Sequence, residues 1–252
     1  MNVFDHLIGA REKKGGGFLL LLDPDRTPVE RMGFLAEKAA GYDVDALLVG
    51  TSYVIESDFH HAVKRIKEKA SVPIIIFPGV HSQIAPDADA ILFTSLISGR
   101  NPQYLIEEQV RGAPLVKQYN IETIPTGYML IDSRGYTSVQ FASRTFPIPS
   151  DKPDIACAHA LAAQYLGMRM IFMEAGSGAI DSVPETMIRQ VADYMELPIM
   201  VGGGINDPAQ VERKILAGAS FVVVGNHFEN KENFARLRDF TRAAHPYQRV
   251  EV

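Results

Sequence analysis

Eight short apolar runs alternate with helical patterns along this chain, and that alternation constrains the fold more than any other feature. The runs are Phe18–Leu22, Ala46–Val49, Pro73–Phe77, Ala90–Phe93, Thr123–Ile131, Met168–Met173, Pro198–Val201 and Phe221–Val224. Most are continuous rather than alternating, as expected of parallel strands buried on both faces. Helical periodicity covers Val3–Lys13, Pro28–Ala40, Glu56–Lys69, Pro102–Gln118, Asp154–Leu166, Pro184–Met195, Pro208–Ala217 and Lys231–Ala244. Strands joined by helices within 252 residues predict an α/β fold, a single (β/α)8 TIM barrel spanning residues 1–252. An open doubly wound sheet is the alternative, but no GxGxxG follows the first strand and no linker divides the chain.

Two stretches break the pattern. Between Phe77 and Ala90, prolines at 78 and 86 leave no room for an ordinary helix. The segment Asp132–Lys152, with Gly135, Pro147 and Pro149, reads as a long loop over one face.

The net charge of -5, with no long basic run, argues against nucleic acid as a partner. Cys157 is the only cysteine, so neither a disulfide framework nor a thiolate zinc site is available, and its alanine-rich surroundings suggest a packed helix position. The N-terminus has no signal-peptide core, and no apolar run is long enough to span a bilayer. A cytoplasmic protein is expected, which is compatible with a lipid substrate taken from a membrane surface.

In a barrel, the chemistry sits where strands end. The last two strands end in Val201-Gly202-Gly203-Gly204-Ile205 and Val224-Gly225-Asn226. Such loops let a phosphate approach main-chain N–H groups, with a following helix adding its dipole; tight turns are the plain alternative. The first strand ends in Leu22-Asp23-Pro24-Asp25-Arg26. Thr27-Pro28-Val29-Glu30 reads as a capping box, which leaves Asp23 free either to hold Mg²⁺ beside a phosphate or to form a local Asx-turn. Gly50-Thr51-Ser52 offers hydroxyls for a metal, a phosphate or a helix cap. Glu174, after a buried strand and before Ala175-Gly176-Ser177-Gly178, suits a general base whose pKa is raised by desolvation, or else a salt-bridged carboxylate. The histidines show no metal-like spacing. His60-His61 fall on a helical pattern, and His227 lies near the second glycine loop.

Taken together, Leu22-Asp23-Pro24, Gly50-Thr51-Ser52, Ser95–Asn101, Thr126-Gly127-Tyr128, Met173–Gly178, Val201–Ile205 and Val224–Asn226 resemble the geranylgeranylglyceryl phosphate synthase family. That family includes the bacterial heptaprenylglyceryl phosphate synthases. Glu-Ala-Gly-Ser-Gly-Ala and the long insertions look like its second group. The resemblance implies a modified barrel whose third helix is replaced by irregular chain, which suits Pro78–Pro86. It implies transfer of a polyprenyl group, geranylgeranyl as the expected one, from its diphosphate to sn-glycerol 1-phosphate. Asp23 and Ser52 would bind Mg²⁺. Phe172, Met173, Glu174, Ala175, Gly176, Ser177, Gly178, Gly202, Gly203, Gly225 and Asn226 would bind glycerol phosphate, with Glu174 taking the hydroxyl proton. A homo-oligomer, dimer or hexamer, and peripheral membrane contact for product release are further implications.

The chain departs from the family at three positions. Many members have lysine where this chain has Leu21, and tyrosines where it has Phe172 and Ala175, so phosphate binding falls to main-chain N–H groups, Ser177 or Arg26. Tyr104 is a candidate end wall for the prenyl tail, or simply a half-buried helix tyrosine. A sugar-phosphate isomerase would share the glycine loops but need neither Asp23 with Mg²⁺ nor an apolar groove, and in a non-catalytic phosphometabolite-binding barrel Glu174→Gln would leave ligand binding and output unchanged.

Overall fold

A computed structural model describes residues 2–52 and 58–249. Eight parallel strands close into a barrel in chain order: β1 Gly17–Leu22, β2 Ala46–Val49, β3 Ile74–Ile76, β4 Ala90–Leu96, β5 Glu122–Leu130, β6 Met170–Glu174, β7 Ile199–Gly202 and β8 Phe221–Val224. The expected barrel is therefore the observed one. Alternate residues of each strand face opposite ways, which builds two cores. Leu19, Leu48, Ile75, Leu92, Ile124, Phe172 and Met200 fill the barrel. Phe18, Leu20, Leu47, Ile76, Ile171, Met173 and Val222 face the helices. Burial on both faces explains why the strands read as unbroken apolar runs.

The helices are α1 Val3–Lys14, α2 Val29–Ala39, α3 Phe59–Lys67, α4 Glu108–Tyr119, α5 Ser138–Ser143, α6 Pro153–Tyr165, α7 Glu185–Tyr194, α8 Pro208–Leu216, α9 Asn226–Glu229 and α10 Leu237–Ala244. No helix follows β3. A strap carrying one 3-10 turn, His81–Gln83, takes its place, as Pro78 and Pro86 require.

Three expectations change. The capping box at Thr27 does not form: α2 starts at Val29 with Pro28 as its cap and no side-chain cap bond. The segment 132–152 holds α5 and an Ile131–Ile148 bridge rather than a bare loop. The final helix is interrupted, with α9 and a 3-10 stretch, Lys231–Arg236, preceding α10. Of the helix expected over 56–69, Glu56 and Ser57 lie outside the described residues.

The barrel floor is closed by α1, whose Leu7 is fully buried in the interior cluster. Glu122 accepts the Phe4 N–H at 3.0 Å at the start of this helix. At its far end Lys14 Nζ lies 2.7 Å from Asp45 and 2.8 Å from Asp43. Asp45 also accepts the Phe18 N–H at 2.8 Å and faces His245 Nε2 at 2.8 Å. Burial would raise the Asp45 carboxyl, but His245 and Lys14 together hold it below its usual range. This network joins α1, the start of β2 and the residue after α10.

Candidate active site

The C-terminal strand ends surround a cavity of about 1000 Å³, counting the space open to solvent. Asp23, Thr51, Ser52, Tyr128, Glu174 and Ser177 all line it, so residues far apart in sequence share one chamber.

Glu174 is the last residue of β6 and is only 7% exposed. Strand alternation points Phe172 and Glu174 into the barrel, whereas Met173 and Ala175 pack in the outer core. The side chains of Met173 and Ala175 therefore face the helices, and neither residue lines the cavity. Phe172 lies beneath Glu174, its ring 5.0 Å from Phe77 and 5.7 Å from Tyr128. This apolar setting pushes the Glu174 carboxyl up to about 7, and a hydrogen bond from the Tyr128 hydroxyl to Oε2 opposes the rise. Tyr128 in turn is held well above its ordinary value by burial and by the adjacent carboxylate. Sequence reasoning assigns Tyr128 no role. Its place follows from the β5–β6 register, which sets it beside Phe172.

Asp23 does form the Asx-turn: Oδ1 accepts the Asp25 N–H at 3.0 Å. Its other oxygen, Oδ2, lies 3.6 Å from Arg26 Nε. Burial raises the Asp23 carboxyl, while the Asp25 N–H, the Thr51 hydroxyl and Arg26 pull it down. Thr51 Oγ1 is also 3.4 Å from Asp25 Oδ2. A partly desolvated carboxylate with the Thr51 hydroxyl alongside it, and Ser52 lining the same cavity, is a set of hard oxygen donors, and it fits Mg²⁺, which takes one or two carboxylates and fills its remaining positions with water and substrate oxygens. Among the described residues, no cluster of three or more His, Cys, Asp or Glu side chains could cage a metal by itself.

The glycine loops follow the neighbouring strand ends β6, β7 and β8, but of the residues in these loops only Ser177 lines the cavity. Gly203 and Gly204 have φ of +82° and +68°, and a Cβ on Gly203 would lie 2.7 Å from Gly176 N. The loops after β6 and β7 therefore touch through their main chains. Asn226 Nδ2 donates to Ser177 Oγ at 2.9 Å, joining the loops after β6 and β8. The N–H groups of Gly203, Gly204 and Asn226 take no acceptor among the described residues, leaving them to an anion. The helix dipole contributes less than expected. α8 begins at Pro208, and Gln210 Oε1 already accepts from Asn206 and Asp207 at 2.9 and 3.2 Å; α9 is four residues long. His227 packs against Phe228 and Phe240, and His60 and His61 are exposed on α3.

From the mouth the cavity continues along an apolar wall of Phe77, Val80, Ile84, Phe93, Leu96 and Tyr104, into the space the missing helix leaves. Tyr104 sits on a π-helical turn, Gln103–Glu107, and its hydroxyl donates to Ala142 O at 3.3 Å. No helix of the described residues is long and apolar enough to cross a membrane.

Residues 9–244 match the PcrB family. The geranylgeranylglyceryl phosphate synthase of Chitinophaga pinensis is 41% identical over 245 residues, 97% of each chain. That of Pyrococcus furiosus is 43% identical over 228 residues, 90% of each. A crystal structure of (S)-3-O-geranylgeranylglyceryl phosphate synthase from Thermoplasma acidophilum, in complex with substrate sn-glycerol-1-phosphate, is similar at a TM-score of 0.91 and 33% identity, covering 98% of this chain and 99% of that one.

Proposed function

The chain is an enzyme of the PcrB family, and on that premise we propose that it joins sn-glycerol 1-phosphate to geranylgeranyl diphosphate. The observation that carries this reading is the single cavity that runs from Glu174 and Asp23 into an apolar groove where a barrel normally has its third helix. A sugar-phosphate isomerase needs no such groove.

The loops after β6, β7 and β8 hold glycerol phosphate by the N–H groups of Gly203, Gly204 and Asn226 and by Ser177. Its 3-hydroxyl then faces Glu174. Tyr128 occupies Oε2, leaving Oε1 to take the proton. The hydroxyl oxygen bonds to the allylic carbon as the carbon–diphosphate bond breaks, and diphosphate leaves with the bonding electrons. Asp23 and Ser52 would hold Mg²⁺, which when bound offsets the charge developing on the departing diphosphate. Glu174, with a pKa of about 7, is a usable base near neutrality. The groove aligns the donor, so proximity supplies part of the rate. Ether-lipid synthesis, a cytoplasmic location with peripheral membrane contact, and a homo-oligomeric state belong to the same proposal.

The test mixes protein, Mg²⁺, geranylgeranyl diphosphate and either enantiomer of labelled glycerol phosphate. Butanol-extractable label is expected with the sn-1-phosphate alone and is expected to vanish with EDTA. No transfer with any prenyl length would reject the reading.

Tyr128→Phe gives a second expectation. The tyrosine hydroxyl bonds to the charged carboxylate and so lowers its pKa. Its removal should move the acidic limb of the kcat/KM profile above pH 7, with most of the activity recovered at the alkaline plateau. A limb that stays in place would show that Glu174 does not govern it.

A further inference from the structure

The strap between β3 and β4 lacks a helical ladder, so its main chain must find partners elsewhere. Gln83 supplies a partner for one of its groups and for one on the neighbouring turn. It is 1% exposed, its Oε1 accepts the Gly79 N–H at 2.7 Å, and its Nε2 donates to Thr51 O at 3.0 Å. Gln83 does not line the cavity, but its neighbours Val80, His81 and Ile84 do.

Two glycines mark the same seam. A Cβ on Gly79 would sit 2.7 Å from Thr51 O, and one on Gly50 would sit 1.9 Å from Phe77 O. The strap thus lies main chain to main chain on the Gly50-Thr51-Ser52 turn. On its other side Glu108 accepts the His81 N–H at 2.8 Å and faces His81 Nδ1 at 2.7 Å. The tail wall is clamped between α4 and the turn that carries Ser52.

We infer that Gln83 is a positioning residue that fixes the distance between the wall of the tail groove and the turn that receives the diphosphate. This inference rests on the proposed prenyl transfer. A donor anchored at both ends senses that distance, whereas a short donor does not reach far along the strap. Glycerol phosphate, held by the loops after β6, β7 and β8, is insensitive to it.

Gln83→Leu and Gln83→Met both remove the two hydrogen bonds at similar volume. Each variant is compared with the unaltered protein for Mg²⁺-dependent binding of two non-transferring thiodiphosphate analogues, geranylgeranyl and dimethylallyl. Folding is checked by circular dichroism. The geranylgeranyl analogue should bind about tenfold more weakly, the size of one or two buried hydrogen bonds, and the dimethylallyl analogue less than about threefold more weakly. The affinity for sn-glycerol 1-phosphate should be unchanged. Gln83→Glu keeps the Gly79 bond and should fall between. A purely structural role would lower the melting temperature and leave the ratio of the two analogue affinities unmoved in folded protein. That result, or equal weakening of both analogues, would overturn the inference. Transfer by the unaltered protein tests the reaction itself, so the two can fail separately.

Discussion

Glu174→Gln is expected to lower kcat by about a hundred- to ten-thousandfold, the range of a single general base, while sn-glycerol 1-phosphate still binds. The amide cannot take the hydroxyl proton, yet its oxygen can still accept from Tyr128, so the site keeps its shape. The same change should stabilise the protein above neutrality. A carboxyl whose folded-state pKa is raised from 4.5 to about 7 contributes stability that is complete below 4.5 and is lost as pH rises through 7. The cost of ionising it in place reaches about 3 kcal/mol at pH 8. A melting series should therefore show Glu174→Gln gaining on the unaltered protein between pH 5 and pH 8, roughly a few degrees for a chain of this length. Full turnover in the variant would remove Glu174 from the chemistry.

Asp23→Asn is the second large effect. Asparagine can keep the Asx-turn, because its side-chain oxygen still accepts the Asp25 N–H, so the loop should hold. Only the charge is lost, and with it the proposed attraction for Mg²⁺. A drop in kcat/KM of about a thousandfold is expected, together with a higher Mg²⁺ requirement. The binding of sn-glycerol 1-phosphate without metal should barely change. Activity within about threefold of normal, with EDTA sensitivity unchanged, would leave Asp23 as a turn residue only.

The strands were legible because a barrel strand is buried on both sides. β2 and β8 end where their apolar runs end. That same two-sided burial hides which residues face inward. Phe172-Met173-Glu174-Ala175 carries no alternation, so the outward turn of Met173 and Ala175 emerges only from the register. Tyr128 is obscured in the same way, being one aromatic inside the run 123–131. The missing helix was visible because Pro78 and Pro86 forbid it. The groove was not, since Phe77, Phe93 and Tyr104 come from separate elements. At Asp23, the reasoning from a neighbouring capping box fails with the box itself, and the metal role proposed for the carboxylate rests on its burial and its oxygen neighbours. The glycine loops remain a phosphate site in expectation, although α8 caps itself.

The charged cluster under the barrel bears on how the ring can open. β8 and β1 meet without a covalent link, which would ordinarily make that junction the place to unzip. Here Phe228 and Phe240 both pack edge-on against Phe18 at 6.4 Å, and Asp45 binds α1 and His245 from below. The clasp is thus fastened by an aromatic cluster and a charged network in addition to its four paired positions. Slack lies instead at β3, three residues long and matched to β4 at only two positions, Ile75 with Ala90 and Ile76 with Ile91. Fraying there would begin in the sheet beneath the strap, while the longer pairings of β4 with β5 and β5 with β6 keep Tyr128 and Glu174 in register.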